Sequence, residues 1–250
     1  MARDDGRAVR SVATFVLVHG AMHGGWCWSP VRRGLTAAGH EVFTPSLTGQ
    51  GERRDGLTPE IGLSTHVRDL AELLWFEDLT DVHLVLHSYA GVLAGPLAEA
   101  VGERLASVTF LAAFLVEPGE CLLDVEPPEV ADGYRRTARE RGEGWFLPPA
   151  PAFLEQWGIP DDLRSHVGER LTAFPLRCQT DAAHYDPAPL AALPATYIRH
   201  TRPPLESLDR SYGRAVRAGW DIREIACGHD AILAEPERTA ALLESIAGGR

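Results

Sequence analysis

The apolar positions of this chain fall into short, nearly unbroken runs separated by stretches with helical spacing. Thr14–Val18 (TFVLV) is the first such run and stops at His19-Gly20. Because almost every position in it is apolar, it predicts a strand covered on both faces. Glu41–Pro45, Val82–Leu86, Ser107–Phe114, Thr196–Arg199 and Asp221–Ala226 predict five more strands. Between them, Trp28, Val31 and Leu35 recur at i, i+3, i+7, as do Val67, Leu70 and Leu74. Pro236 can open a helix whose apolar face continues through Ala240, Leu243 and Ala247. Strands alternating with helices, joined by right-handed crossovers, predict an α/β fold. It is an open, mostly parallel sheet of about six strands flanked by helices.

Residues 117–193 break this rhythm. The stretch is rich in proline (Pro118, Pro127, Pro128, Pro148, Pro149, Pro151, Pro160) and in aromatics (Trp145, Phe146, Phe153, Trp157, Phe174, Tyr185). It is too long for a loop between two sheet strands, so it predicts an inserted helical cap. Residues 1–116 and 194–250 then form the core. No internal repeat interrupts this plan.

Composition narrows the class. With 250 residues, 45% of them hydrophobic and 24% charged, the chain can bury a large core without staples. A net charge of −11 repels phosphate backbones, which argues against nucleic acid as a partner. Cys27, Cys121, Cys178 and Cys227 are far apart and show no metal-binding spacing, so they read as reduced thiols in a cytoplasmic protein without a metal. No apolar run reaches the roughly 18 residues of a membrane span. The charged opening MARDDGRAVR is not followed by a long apolar segment, as a secretory signal would be.

Ligands of open parallel sheets bind beyond the carboxyl ends of the strands. Three of those ends carry reactive groups: His19-Gly20, Ser88 and His229. In LVLHSYAGV, a strand runs straight into Ser88 and then into small residues, the pattern of a nucleophile elbow. The positions two before and two after the serine, usually glycine, are Leu86 and Ala90, and Leu86 is expected to widen the turn. A helix N-cap is the alternative for a serine here. His229, in ACGHDAI, supplies an imidazole able to take the serine proton, without which a hydroxyl is a poor nucleophile. The glycine-rich segment HGAMHGGWCW (19–28) can turn N–H groups toward the nucleophile. In this reading the amides of Ala21 and Tyr89 form an oxyanion hole. The alternative is a plain turn with Trp26 and Trp28 as core anchors, and both can hold at once.

These segments together resemble a known family. FVLVHGAMHGGWCW, AAGHEVFTPSLTGQGER, VLHSYAG, FLAAF, TYIRHT and GHDAILAEP are similar to the α/β-hydrolase group of plant methylesterases, hydroxynitrile lyases and their bacterial relatives. The resemblance covers most of the chain and is weakest in the cap. It implies an α/β-hydrolase fold, a Ser88 nucleophile, a His229 base, oxyanion amides at Ala21 and Tyr89, small ester, lactone or cyanohydrin-like substrates, and no cofactor. The departure lies in the triad acid. The family carries it shortly after the strand matching 196–201, where this chain reads Thr201-Arg202-Pro203-Pro204. Some relatives carry it at the end of the preceding strand, where this chain has Ala112. Glu117, just past that strand, is the substitute expected here, with Glu206, Asp209 and Asp230 as other carboxylates nearby. Loss of the acid can cost up to about 10⁴ in turnover.

The expected function is a serine hydrolase of a small apolar carboxylic ester or lactone, with an atypical or missing acid. A non-hydrolytic lyase or cyclase using His229 as proton shuttle is the alternative, followed by a ligand-binding relative without turnover. His23, Trp26, Trp145 and Phe146 are expected to line the substrate pocket. The expected partner is a small molecule, with neither nucleic acid nor membrane, and a homodimer is left open.

Overall fold

The computed structural model describes residues 12–249, so the charged opening stretch MARDDGRAVR lies outside the described residues. In chain order the elements are β1 (Thr14–Val18), α1 (Ser29–Ala37), β2 (Glu41–Phe43), α2 (Leu63–Phe76), β3 (Val82–His87), α3 (Ala94–Val101) and β4 (Leu105–Leu111). There follow α4 (Leu122–Val125), α5 (Pro128–Arg141), β5 (Phe146–Leu147), α6 (Pro151–Gln156), α7 (Asp161–Gly168), β6 (Phe174–Pro175), α8 (Arg177–Thr180) and α9 (Pro187–Ala191). The chain ends with β7 (Ala195–His200), α10 (Asp209–Arg217), β8 (Asp221–Ile225), α11 (Ala231–Ala234) and α12 (Pro236–Gly248).

Six strands form one sheet in the order β2-β1-β3-β4-β7-β8, every neighbouring pair parallel. The central strands β1, β3 and β4 are buried at nearly every position, as strands covered on both faces must be. The edge strands β2 and β8 are largely exposed or half-buried, which explains their weaker apolar runs. On the helices, Val31 and Leu35 of α1, Leu70 and Leu74 of α2, and Ala240 and Leu243 of α12 are buried. Each buried leucine contributes about 2–3 kcal/mol. The stretch between β4 and β7 holds the 14-residue helix α5, several shorter helices and the antiparallel ribbon β5–β6. No helix among the described residues is long and apolar enough to cross a membrane.

Strand order reverses around β1, which lies between β2 and β3. This is the switch point where loops part and leave a crevice at the carboxyl ends. Val18 of β1 is in register with Leu86 of β3, so His19-Gly20 and His87-Ser88 leave the sheet side by side.

Several strand bounds differ from the sequence expectation by one to three residues, most of all at the end of β4. Leu111, not Phe114, ends β4, because Ala112 takes a left-handed backbone with φ of 46° and breaks the ladder. The chain then crosses the start of the segment after Ser88: Phe114 N–H donates to the Ser88 carbonyl at 3.0 Å. Gly91 lies against that crossing, and a Cβ there would meet the Phe114 carbonyl oxygen at 2.2 Å. A rigid backbone cannot yield to that contact cheaply. Gly91→Ala is therefore expected to lower stability by about 2–3 kcal/mol, read as a fall in the urea midpoint at unchanged m-value. An unaltered midpoint would show that the crossing is not tight.

Candidate functional site

The site begins with a strained residue. Ser88 follows β3 directly and has φ of 54°, in the left-handed region that non-glycine residues avoid. That turn lifts the hydroxyl off the end of the sheet. The neighbouring strand end leaves room for it only because residue 20 is glycine, whose added Cβ would sit 2.8 Å from the Ser88 Cβ. Leu86, expected to widen the turn, does not. Its side chain is fully buried in the core and the elbow conformation forms regardless. The close approaches fall instead at Gly20 and Gly91.

His229 follows β8, and its Nε2 lies 2.9 Å from Ser88 Oγ, although 141 positions separate them in sequence. Its ring is packed between those of His87, with centroids 4.9 Å apart, and His200, at 5.3 Å. His87 Nε2–H donates to the His229 carbonyl at 3.1 Å and so holds the loop. Burial lowers the His229 pKa well below the ordinary imidazole value. At neutral pH it is an uncharged base whose Nε2 can accept the serine proton, which leaves the remaining proton on Nδ1. Among the described residues, that Nδ1 has no hydrogen-bond partner.

The peptides around Ala21 are pinned by imidazoles. His19 Nδ1–H donates to the Gly20 carbonyl at 2.8 Å, fixing the peptide whose N–H belongs to Ala21, while His19 Nε2 accepts from Leu47 N–H at 3.0 Å. His23 Nδ1–H donates to the Ala21 carbonyl at 2.8 Å. Tyr89, the other expected oxyanion residue, has a buried side chain. Its hydroxyl donates to His66 Nδ1 at 2.9 Å, His66 Nε2–H donates to the Thr48 carbonyl, and Phe174 packs on its ring at 4.8 Å.

The expected acid is not where it was sought. Glu117 is mostly exposed and its carboxylate faces Arg214 Nε at 3.5 Å, because that guanidinium, already bound to Glu120, draws it to the surface. Asp209 faces Arg199 at the surface and Glu206 is exposed. Asp230 is completely buried, yet it turns toward His23 Nε2 (3.5 Å) and His87 Nε2 (3.8 Å) rather than toward its neighbour His229. Burial pushes its pKa up to about 6.

The aromatic surroundings also differ from expectation. His23 stacks on Trp26 at 5.7 Å, but the insertion reaches it through Trp157 at 5.3 Å, itself stacked on Phe153. The Trp157 carbonyl accepts the Asp230 N–H at 3.1 Å. Trp145 and Phe146 pack on each other at 4.9 Å, and Phe146 belongs to the β5–β6 ribbon. Gly158 and Gly228 touch so closely that a Cβ on either would lie 2.8 Å from the other's Cα. Only glycine at both places lets the Trp157 turn sit on the His229 loop. A cavity of about 280 Å³ lies beyond Gly91 and Val92, lined by Phe110, Leu115, Tyr185 and Trp220 and not by Ser88 or His229. No group of three or more metal-ligating side chains is assembled among the described residues.

Comparison with known proteins gives concordant results. A profile described as the alpha/beta hydrolase family matches residues 15–242. The chain is 32% identical to a carbendazim hydrolyzing esterase of Nocardioides sp. (strain SG-4G), over 94% of this chain and 100% of that one. It is 38% identical to Methylesterase 7 of Arabidopsis thaliana over 40% of each chain. Among solved structures, an extracellular alpha/beta-hydrolase from a Paenibacillus species superposes with a TM-score of 0.82 at 18% identity, covering 95% of this chain and all of that one.

The buried imidazoles set a pH dependence. Burial lowers His19 and His87 to about 3 and His200 to about 4. Each therefore contributes stability that is complete above the unfolded value of about 6.5 and is lost as pH falls toward the folded value. Asp230, at about 6, and Glu126, raised by burial to about 7, act in the opposite sense, since their stabilisation fades as pH rises. Three imidazoles outweigh two carboxyls, and the lowered His66 and His229 add to the imidazole side. Acidification from pH 7 to 5 is expected to cost at least about 1–2 kcal/mol, seen by calorimetry as a falling thermal midpoint. A flat or rising midpoint would mean that these rings are not held neutral.

Proposed function

Because the chain belongs to the alpha/beta hydrolase family, we propose that it is a serine hydrolase cleaving small, largely apolar carboxylic esters or lactones. The observation that carries this reading is the 2.9 Å contact between His229 Nε2 and a Ser88 hydroxyl raised on a left-handed elbow. A serine hydroxyl is unreactive at neutral pH unless a base removes its proton as it attacks. His229 is uncharged, within reach and correctly tautomeric for that task.

In the reaction, Ser88 Oγ attacks the substrate carbonyl while His229 Nε2 takes its proton. The amides of Ala21 and Tyr89 receive the developing oxyanion, at a place where donors fixed before reaction need no reorganisation. His19 matters here because it locks the peptide bearing the Ala21 N–H. His229 then returns the proton to the leaving alkoxide, and water, activated by the same ring, releases the acid from Ser88. His23, Trp26 and Trp157 offer an aromatic wall over the oxyanion loop, which favours flat or apolar substrates. The relatives' names point the same way, one to carbendazim and one to methyl esters.

Ser88→Ala and His229→Ala are each expected to lower kcat on p-nitrophenyl acetate by at least about 10³-fold with circular dichroism unchanged. A fluorophosphonate probe should label Ser88 in the native protein and not in His229→Ala. A panel of small methyl esters, with carbendazim included, ranks substrates by kcat/KM. Wild-type turnover in Ser88→Ala would remove the assignment.

A further inference from the structure

The pair formed by Ser88 and His229 leaves one group unexplained. With Nε2 turned to the serine, the His229 Nδ1–H is buried and has no acceptor among the described residues. A buried donor without a partner is costly, and a ring held only at one nitrogen is free to rotate away from the hydroxyl. The nearby carboxylates do not serve it: Glu117 is drawn to Arg214, and Asp230, hydrogen-bonded to no partner among the described residues, is turned toward His23 and His87.

A second ring with the same problem stands beside it. His200 ends β7 and is 3% exposed, and neither of its ring nitrogens has a hydrogen-bond partner. The centroids of His200 and His229 are 5.3 Å apart with planes at 71°. The two rings do not hydrogen-bond to each other as they stand, but at that separation a rotation that turns a nitrogen of each toward the other brings them within hydrogen-bonding reach. β7 is also the strand that delivers its end residue to the crevice, next to the loop carrying His229.

We propose that His200 is the positioning residue of the reaction, its imidazole accepting the His229 Nδ1–H and so completing a Ser88–His229–His200 relay in place of a carboxylate. The chemistry requires His200 to be neutral, since only then does one ring nitrogen keep a lone pair. Burial provides this, lowering the ring to about 4, with Arg199 acting in the same direction and Asp209 against it. The small cavity beside His200 is also lined by Pro204, Leu205, Leu208 and Asp209, and the Asp209 carboxylate is paired with Arg199 at 3.3 Å. As His229 becomes imidazolium during attack, a neutral acceptor holds its orientation but offers less charge stabilisation than a carboxylate would.

This inference rests on the assignment of Ser88 and His229 above, and the experiment separates the two. His200→Phe keeps a buried flat ring and removes the acceptor, whereas His200→Gln keeps a carbonyl acceptor. With p-nitrophenyl acetate, His200→Phe is expected to lower kcat about 10- to 100-fold with KM changed less than about threefold, short of the about 10⁴-fold loss that follows removal of a charged acid. His200→Gln should recover most of that loss. Equal impairment in both variants would assign His200 a packing role only, and full activity in His200→Phe would overturn the proposal. The wild-type protein gives a readout that does not depend on either variant folding. In ¹⁵N-labelled protein, a downfield N–H resonance of His229 should show a through-hydrogen-bond coupling to a His200 nitrogen, and its absence refutes the pairing. If Ser88→Ala and His229→Ala are inactive while His200→Phe is not, only this inference falls; if Ser88→Ala is active, the underlying assignment falls first.

Discussion

Everything at the site depends on how closely two adjacent strand ends approach. β1 and β3 are paired in register to Val18 and Leu86, so the next two residues of each emerge together. Gly20 and Ser88 then lie so near that a single added carbon would contact the serine Cβ at 2.8 Å. This one constraint sets the rest. It keeps the loop after β1 against the Ser88 hydroxyl, accompanies the left-handed turn at Ser88, and brings His87 beside the ring of His229. The strain of the elbow, on the order of 1–3 kcal/mol, is offset by the core that holds β3 on both faces.

Around this junction the chain has buried imidazoles where charged groups might have been expected. His19, His66, His87, His200 and His229 are all nearly inaccessible. Their value lies in being neutral and bifunctional, because each can donate from one nitrogen and accept at the other. His19 and His66 use both, tying the loops after β1 and β2 to the sheet. A lysine or carboxylate could satisfy only one kind of partner there, at a large desolvation cost. The same logic accounts for Asp230, whose raised pKa reflects a carboxyl with no strong donor aimed at it.

Much of this was legible in the residues, and the parts that were not share a cause. The central strands declared themselves because burial on both faces forces continuous apolar runs, and β2 and β8 did so less clearly because edges need not be apolar. Ser88 and His229 stood out because each follows a strand at the sheet's carboxyl edge. Glu117 misled because nearness in sequence to β4 says nothing of Arg214, which arrives from α10 almost a hundred positions later. Aromatic content alone does not reveal which ring of the stretch between β4 and β7 reaches His23; Trp157 does, beside the glycine pair 158 and 228. A further signal lies in the strand ends: β1 runs directly into His19, and β3 and β7 end in His87 and His200. Strand ends converge in such a sheet, so histidines at three of them imply a cluster.

The neutral surroundings of His229 also bear on what the site can bind. A carboxylate on Nδ1 would leave a permanent negative charge below the ring and favour imidazolium at every stage. On the proposed relay an uncharged imidazole stands there instead, and the buried carboxyl of Asp230 is turned away toward His23 and His87, so no negative charge adjoins Nδ1 before reaction. Such a site does not repel an electron-rich carbonyl as it enters, and its aromatic wall adds apolar contact without charge. The cost falls on the transition state, whose ion pair is stabilised by fixed amides alone. A scaffold arranged in this way suits activated esters with good leaving groups, for which little help is needed at the moment of attack.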